Sequence, residues 1–209
     1  MYEQIFKDLQ TAYDRKAAER DQFGISEWKQ HERLRFLSLL RKEGKYQLLD
    51  VGAGTGVHGK FFQDQGIDVI CADLSYENAR RCREKGLAAS VMDFLNVGFD
   101  DETFDAIFAM NCLLHVPKGD LPRVLDSLRN KLVIGGLFYW GQYGGIEHEG
   151  SWPKDDYEPK RFFSLLPDDQ IRTIGELYFE VISFNTIGLE SEDEGNYQSL
   201  ILRKIHSSG

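Results

Sequence analysis

The run Leu48-Leu49-Asp50-Val51-Gly52-Ala53-Gly54-Thr55-Gly56 ends an apolar stretch on a carboxylate and then places glycine at every second position. Glycine has no Cβ, so such a loop turns tightly and brings backbone N–H groups close to a ligand. A carboxylate at its root would repel a bound phosphate, but it suits a ligand with positive charge. Two more acids, Asp73 and Asp93, follow apolar runs, and His115 closes Asn111-Cys112-Leu113-Leu114-His115. An acid at a strand end accepts hydrogen bonds from a pair of ribose hydroxyls or caps the helix that follows. A histidine with an ordinary pKa of about 6.5 takes a proton near neutral pH, so His115 is the candidate general base. Its alternative role is to pack or cap the turn before Pro117. Cys112 has no activating partner visible in the sequence, so packing is its reading.

The same loop contains a rival signature. Gly54-Thr55-Gly56-Val57-His58-Gly59 matches the G-x-G-x-x-G of dinucleotide-binding folds. Its register is awkward, because Gly52 already follows the strand directly. Asp73 does not decide between the two, since an acid at the second strand end serves ribose in either case. Asp50 is what favours a cationic ligand.

These residues need a scaffold that brings strand ends together. Residues 3–20 and 26–43 read as helices, the second with Trp28, His31, Leu34, Phe36, Leu37 and Leu40 at three- and four-residue spacing. Strands are expected at Tyr46–Val51, Ile67–Ala72, Leu87–Met92, Phe104–Met110 and Leu137–Gln142, with helices at Val57–Gln65, from Ser75 to Lys85, and at Leu121–Leu132. Ser75 is placed to cap its helix, with Glu77 in the first turn. Strand–helix alternation with short connections implies an open, mainly parallel sheet with helices on both faces. A helix over Asp168–Leu177 precedes two β-rich runs, Phe179–Ile187 and Tyr197–Lys204. The acidic turn 188–196 between them is too short for a crossover helix, so they should pair antiparallel.

Residues 143–167 show no periodicity and suit a lid or binding segment. Tyr143, Trp152 and Phe162 there, with Tyr157 and Phe163, suit a pocket for a modest, partly apolar molecule. His148 lies among Glu147, Glu149, Asp155 and Asp156, but the spacing matches no zinc motif, and a solvated acidic lid is the expectation.

Of the 209 residues, 42% are hydrophobic, enough for a core and against disorder. A formal net charge of -9 argues against a broad grip on nucleic acid or anionic membrane. No apolar run approaches the roughly 20 residues that span a bilayer. Cys71, Cys82 and Cys112 form no CxxC pair, and no secretory signal is visible, so a reduced cytoplasm is the expected compartment.

Taken together, the Asp50-x-Gly52-x-Gly54-x-Gly56 loop, Asp73, five parallel units and a closing hairpin resemble the class I S-adenosylmethionine (SAM)-dependent methyltransferases over roughly residues 10–205. The resemblance implies SAM as cofactor, S-adenosylhomocysteine as product, and a Rossmann-like α/β fold. It places Gly52, Gly54 and Gly56 by the cofactor's methionine portion and Asp50 at its ammonium. Asp73 would accept the ribose hydroxyls while Leu74 packs on the adenine. Asp93 would meet the adenine amino group, with Phe94 against the ring. Met110 and Asn111 would line the cofactor, and the following residues would face the substrate. Tyr13, in Tyr13-Asp14-Arg15-Lys16-Ala17, is similar to an N-terminal segment of small-molecule methyltransferases that lies over the cofactor, and it would reach the methionine carboxylate. Cys112 and Leu113 stand where DNA methyltransferases carry prolines, which again disfavours nucleic acid.

The expectation is therefore a helical cap, 1–45, on a SAM-binding core, 46–209, with a lid at about 143–167. The activity expected is methyl transfer to an O or N atom of a small molecule, without a metal. His115, Tyr143, Trp152 and Phe162 are the expected acceptor contacts. A nicotinamide-dependent oxidoreductase and a non-catalytic SAM-binding protein are the alternatives.

Overall fold

The computed structural model describes residues 2–22, 24–189 and 195–206. Two helices come first, α1 (Tyr2–Arg20) and α2 (Glu27–Lys42). Then follow β1 (Gln47–Val51), α3 (Val57–Asp64), β2 (Asp68–Asp73), α4 (Tyr76–Glu84), β3 (Ala88–Val91) and β4 (Phe104–Met110). A 3-10 turn at Leu113–His115 leads to α5 (Leu121–Lys131) and β5 (Leu132–Gly144). The chain continues with β6 (His148–Ser151), β7 (Phe162–Leu165), α6 (Asp168–Tyr178), β8 (Glu180–Gly188) and β9 (Asn196–Arg203).

Seven strands form one sheet in the order β3-β2-β1-β4-β5-β9-β8. The first five are parallel; β9 runs antiparallel between β5 and β8. The antiparallel pairing expected of the last two strands is thus present. Most of the acidic turn expected between them, residues 190–194, lies outside the described residues, as do the last three residues of the chain.

Alternation along β4 shows why the sheet is wound on both faces. Ile107 and Ala109 join a core with Val124, Leu125 and Leu128 of α5 and Ile171 of α6. Ala106, Phe108 and Met110 point the other way, into a core with Phe36, Leu37 and Leu40 of α2 and Phe62 of α3. A strand buried on both faces reads as a continuous apolar run, which is how β4 appears in the sequence. Phe108 stacks on Tyr139 at 4.6 Å, and Phe36 leans on both.

Two elements differ from expectation. β5 extends at both ends beyond Leu137–Gln142, because Leu132 pairs with Phe104 of β4 at its start and β9 pairs with it as far as Gly144 at its end. Within residues 143–167 an antiparallel pair, β6–β7, forms a separate two-stranded sheet. Four-residue strands leave no alternation long enough to detect in the sequence.

Candidate active site

A cavity of about 310 Å³ lies where β1, β2, β3 and β4 end, with α1 over it. Crevices outside the carboxyl ends of parallel strands are where open α/β sheets bind ligands. Its wall includes Tyr13 from α1, Gly52 and Gly54 after β1, Asp73 and Leu74 after β2, Met92 to Phe94 after β3, and Met110, Asn111 and His115 around the end of β4.

The three glycines of the loop serve different ends. All have positive φ, at 65°, 56° and 82°. A Cβ on Gly52 would lie 2.3 Å from Cys112 Cβ, so this glycine exists for strand-to-turn packing. A Cβ on Gly56 would meet Leu87 at 2.7 Å and Cys82 Sγ at 2.9 Å, and Gly56 does not line the cavity. Gly54 has nothing within 4 Å and faces the cavity, so it is the one that keeps ligand space open. The expectation that the loop lends its N–H groups to a ligand needs correction. Gly52 and Ala53 donate to the Ala72 carbonyl, Gly56 to Ala53, and Gly54 to Asp73 Oδ2 at 2.7 Å. Those four N–H groups are taken up within the protein, which leaves Gly54 to offer close approach.

Asp50 also needs correction. It is 2% exposed, sits behind the loop, and does not line the cavity. One oxygen accepts the Gly59 N–H, while Oδ2 is buried without a partner among the described residues. Burial, and then the nearby Asp73, push its carboxyl up to about 8. Asp73 does face the cavity. Its Oδ1 accepts from Ser75 N at 2.8 Å and Asn78 Nδ2 at 3.2 Å. With Gly54 on Oδ2, three of its roughly four lone-pair sites are in use. Burial raises its carboxyl, against the pull of those donors and of Arg20. Ser75 caps α4 as expected, accepting from Asn78 N.

Asp93 lines the cavity but also caps its own turn, accepting from Leu95 N at 2.6 Å and Asn96 N at 2.9 Å. Phe94 lies beside it on the wall. Asn111 has φ 57°, a conformation that asparagine tolerates better than most residues. Its Oδ1 is buried without a partner among the described residues, leaving an acceptor beside the cavity.

His115 has both ring nitrogens engaged. Nδ1 lies 2.6 Å from the Phe162 carbonyl and Nε2 lies 2.6 Å from the Tyr13 hydroxyl. A carbonyl only accepts, so Nδ1 carries the hydrogen and Nε2 accepts from Tyr13. Burial holds the imidazole neutral, with its pKa down to about 3. Tyr13 and His115 both line the cavity, joined through that hydrogen bond.

The other expected acceptor contacts do not line the cavity. Tyr143 packs edge-on to Tyr197 and Trp28. Trp152 packs on His148 at 4.8 Å, and Phe162 meets His115 through its main chain. Of the acids expected on a solvated segment, Glu147, Glu149 and Asp156 are exposed, and Asp155 is the exception. Asp155 is buried against Arg161, Glu147 pairs with Lys118, and Glu149 accepts the Lys118 N–H. Among the described residues no group of three or more His, Cys, Asp or Glu side chains is gathered for a metal. No described helix is long and apolar enough to cross a membrane.

Among the wall residues that sequence reading did not place there are the basic side chains Arg20, Lys29 and His58. Arg20 lies over the Tyr13 ring and donates to the Tyr157 hydroxyl. His58 Nδ1 is buried and unpartnered among the described residues, and burial lowers its pKa to about 3. Nothing local marks Arg20 and Lys29, since α1 and α2 reach the cavity only by folding over it, whereas His58 stands inside the glycine signature at one of its variable positions.

The two buried histidines set a pH dependence. Their folded pKa values lie below the unfolded value of about 6.5, so between pH 6.5 and 3 the unfolded chain binds more protons. Stability should therefore fall on acidification through that window, each histidine contributing a slope approaching about 1.4 kcal/mol per pH unit. Asp50 has the opposite sign. Its folded pKa is raised, so the stability it contributes below about pH 4 is lost as pH rises toward 8. Asp50→Asn is expected to raise the melting temperature of the ligand-free protein at pH 8 more than at pH 4. Equal shifts at both pH values would show that Asp50 is not held protonated.

Comparison with known proteins follows this geometry. The family profile for the methyltransferase domain matches residues 48–136, the span from β1 to the start of β5. A malonyl-[acyl-carrier protein] O-methyltransferase from Hamiltonella defensa is 30% identical over 146 residues, covering 66% of this chain and 56% of that protein. A phosphoethanolamine N-methyltransferase from Caenorhabditis elegans is 26% identical over 141 residues, 62% of this chain and 32% of that protein. The chain thus spans about half or less of these relatives' length. Among solved structures, the Burkholderia thailandensis 1,6-didemethyltoxoflavin-N1-methyltransferase, bound to its acceptor and S-adenosylhomocysteine, superposes with a TM-score of 0.72 at 17% identity. That match covers 98% of this chain and 89% of that one. The matched stretch begins at the glycine loop and the sheet around it is the one seen in that structure, so residues 48–136 are similar to a methyltransferase domain and the chain has the Rossmann-like fold of SAM-dependent methyltransferases.

Proposed function

We propose that this protein binds SAM in the cavity under α1 and transfers its methyl group to an oxygen or nitrogen atom of a small molecule. The observation that carries the reading is Asp73, at the end of β2, facing that cavity with one lone-pair site still open. The residues present fit the cofactor. Asn111 Oδ1 and loop carbonyls are acceptors for an ammonium. Asp73 accepts from the ribose, and Leu74, Asp93 and Phe94 frame the adenine. Arg20, with Lys29 and His58, replaces Tyr13 as the partner for the carboxylate.

Bound SAM supplies a methyl group on a sulfonium, a leaving group that needs no acid. The protein's task is to hold the acceptor in line and to take its proton. The cofactor, once held there, would supply an electrophilic methyl carbon and would leave with the C–S electron pair. The acceptor's proton passes to the Tyr13 oxygen, and the Tyr13 hydrogen passes to His115 Nε2. Burial keeps His115 neutral and able to accept at working pH, and it also makes the imidazole a weak base, so the proton moves as the acceptor gains positive charge in the transition state and not before it. Residues 1–45 act as a cap and 143–167 as a lid in this reading. The relatives named above act on chemically different acceptors, so the acceptor is identified here only as a small molecule.

Calorimetry is expected to give micromolar-range binding of SAM and S-adenosylhomocysteine; tight binding of NAD instead would favour an oxidoreductase. With labelled SAM and a metabolite library, His115→Ala and Tyr13→Phe should each lower turnover at least about 100-fold, the usual scale of general-base catalysis. The double variant should lose little more, because the two residues form one relay. Unchanged turnover in His115→Ala would remove the relay from the mechanism.

A further inference from the structure

The connection between β6 and β7 holds a charge pair that methyl transfer, as described, does not use. Asp155 and Arg161 side chains are only 3% and 16% exposed. The carboxylate accepts from Arg161 Nη2 at 2.6 Å, from Nε at 3.2 Å, and from the Arg161 backbone N–H at 2.8 Å. The guanidinium face lies 3.6 Å from the Tyr157 ring centre. A planar guanidinium held along one edge and across one face is fixed in direction. Its remaining nitrogen, Nη1, donates to the Tyr13 hydroxyl at 3.3 Å.

This contact completes a chain of hydrogen bonds with one possible order. Arg161 only donates and the Phe162 carbonyl only accepts. Hydrogens therefore run from Arg161 to Tyr13, from Tyr13 to His115 Nε2, and from His115 Nδ1 to Phe162. The Tyr13 oxygen gives its hydrogen to His115, spends one lone pair on Arg161, and has one lone pair left. Without Arg161 the hydroxyl is free to turn about its C–O bond, so it holds neither its hydrogen on His115 Nε2 nor a fixed lone pair toward the acceptor.

The geometry points to Arg161, clamped by Asp155, as a positioning residue that aims the last lone pair of Tyr13 at the acceptor's proton. The inference rests on the methyltransferase reading above. It assigns no contact between Arg161 and substrate. It also separates Arg161 from Arg20, which lies on the wall of the cavity, whereas Arg161 stands behind Tyr13. The competing role is a pin that fastens the β6–β7 hairpin and nothing more.

The test is nitrogen NMR of ¹⁵N-histidine protein loaded with S-adenosylhomocysteine, with calorimetry of that ligand on the same samples. Wild type should show neutral His115 with the proton on Nδ1 and a hydrogen-bonded Nε2. Tyr13→Phe provides the reference signal of Nε2 without its donor. Arg161→Gln and Asp155→Asn should both move the Nε2 signal toward that reference, with dissociation constants within about threefold of wild type. Arg161→Lys, which keeps a donor, should hold the signal near wild type. An unmoved His115 signal in Arg161→Gln and Asp155→Asn would overturn the inference. So would a tenfold or larger loss of ligand affinity in both without that movement, which marks a pin. Failure of the wild type to bind the ligand would defeat the cofactor reading instead, and the His115 signal of ligand-free protein would still decide the role of Arg161.

Discussion

Gly52→Ala is expected to lower the melting temperature by roughly 5–20 °C and to abolish binding of S-adenosylhomocysteine. Two costs add. A residue with a Cβ at φ 65° pays about 1–2 kcal/mol for the left-handed conformation. The new methyl would also sit 2.3 Å from Cys112 Cβ and 3.0 Å from its sulfur. Overpacking of that kind costs about 1–3 kcal/mol. The sum, about 2–5 kcal/mol, is a large part of the 5–15 kcal/mol typical of a folded domain. At about 2–4 °C per kcal/mol for a chain of this size, it gives the stated range. The cause is separable by a second change. Cys112→Gly removes the atom that collides and should restore part of the stability of Gly52→Ala, whereas Cys112→Ala keeps that Cβ and should restore little. A Gly52→Ala protein that melts with wild type would show that the strand end and the turn after β4 do not approach as described.

Asp73→Ala should weaken S-adenosylhomocysteine at least about 100-fold. The carboxylate holds Gly54 N, Ser75 N and Asn78 Nδ2, so its removal strands three inward-facing donors as well as a ribose acceptor. Each buried donor left unpaired costs about 1–3 kcal/mol. Asp73→Asn should do little better, because an amide nitrogen would face either Gly54 N–H or the Ser75 and Asn78 donors. Calorimetry and thermal melts on both variants separate the two contributions. An affinity within threefold of wild type in Asp73→Ala would mean that the ligand does not use the end of β2.

The sequence and the structure agree most closely where one residue type has one physical use. Apolar runs, stop glycines and the Ser75 cap place the strands and helices within a few residues. They agree less where a residue type has several uses. Asp50 has the sequence context of a ligand contact, yet its position under the loop follows from the turn that begins at Gly52. Gly52, Gly54 and Gly56 look equivalent in the chain, while the neighbours of each, Cys112, open cavity, and Leu87 with Cys82, come from distant segments. Tyr143 and Trp152 attracted attention as aromatics in an aperiodic stretch, but they pack on Trp28, Tyr197 and His148. Arg20 and Lys29 were silent because only tertiary folding brings α1 and α2 over the strand ends.

The acceptor for His115 Nδ1 is a main-chain carbonyl, that of Phe162. Every amino acid supplies that oxygen, so the tautomer of the histidine is indifferent to what side chain occupies position 162. The hairpin is therefore free to diversify in sequence, for instance to accommodate a new acceptor, so long as its backbone keeps its path. Proline suits position 162 as an acceptor no less than leucine does. What would disturb the proton order is an insertion or deletion that shifts the strand, and related chains can be sorted by hairpin length rather than by hairpin composition.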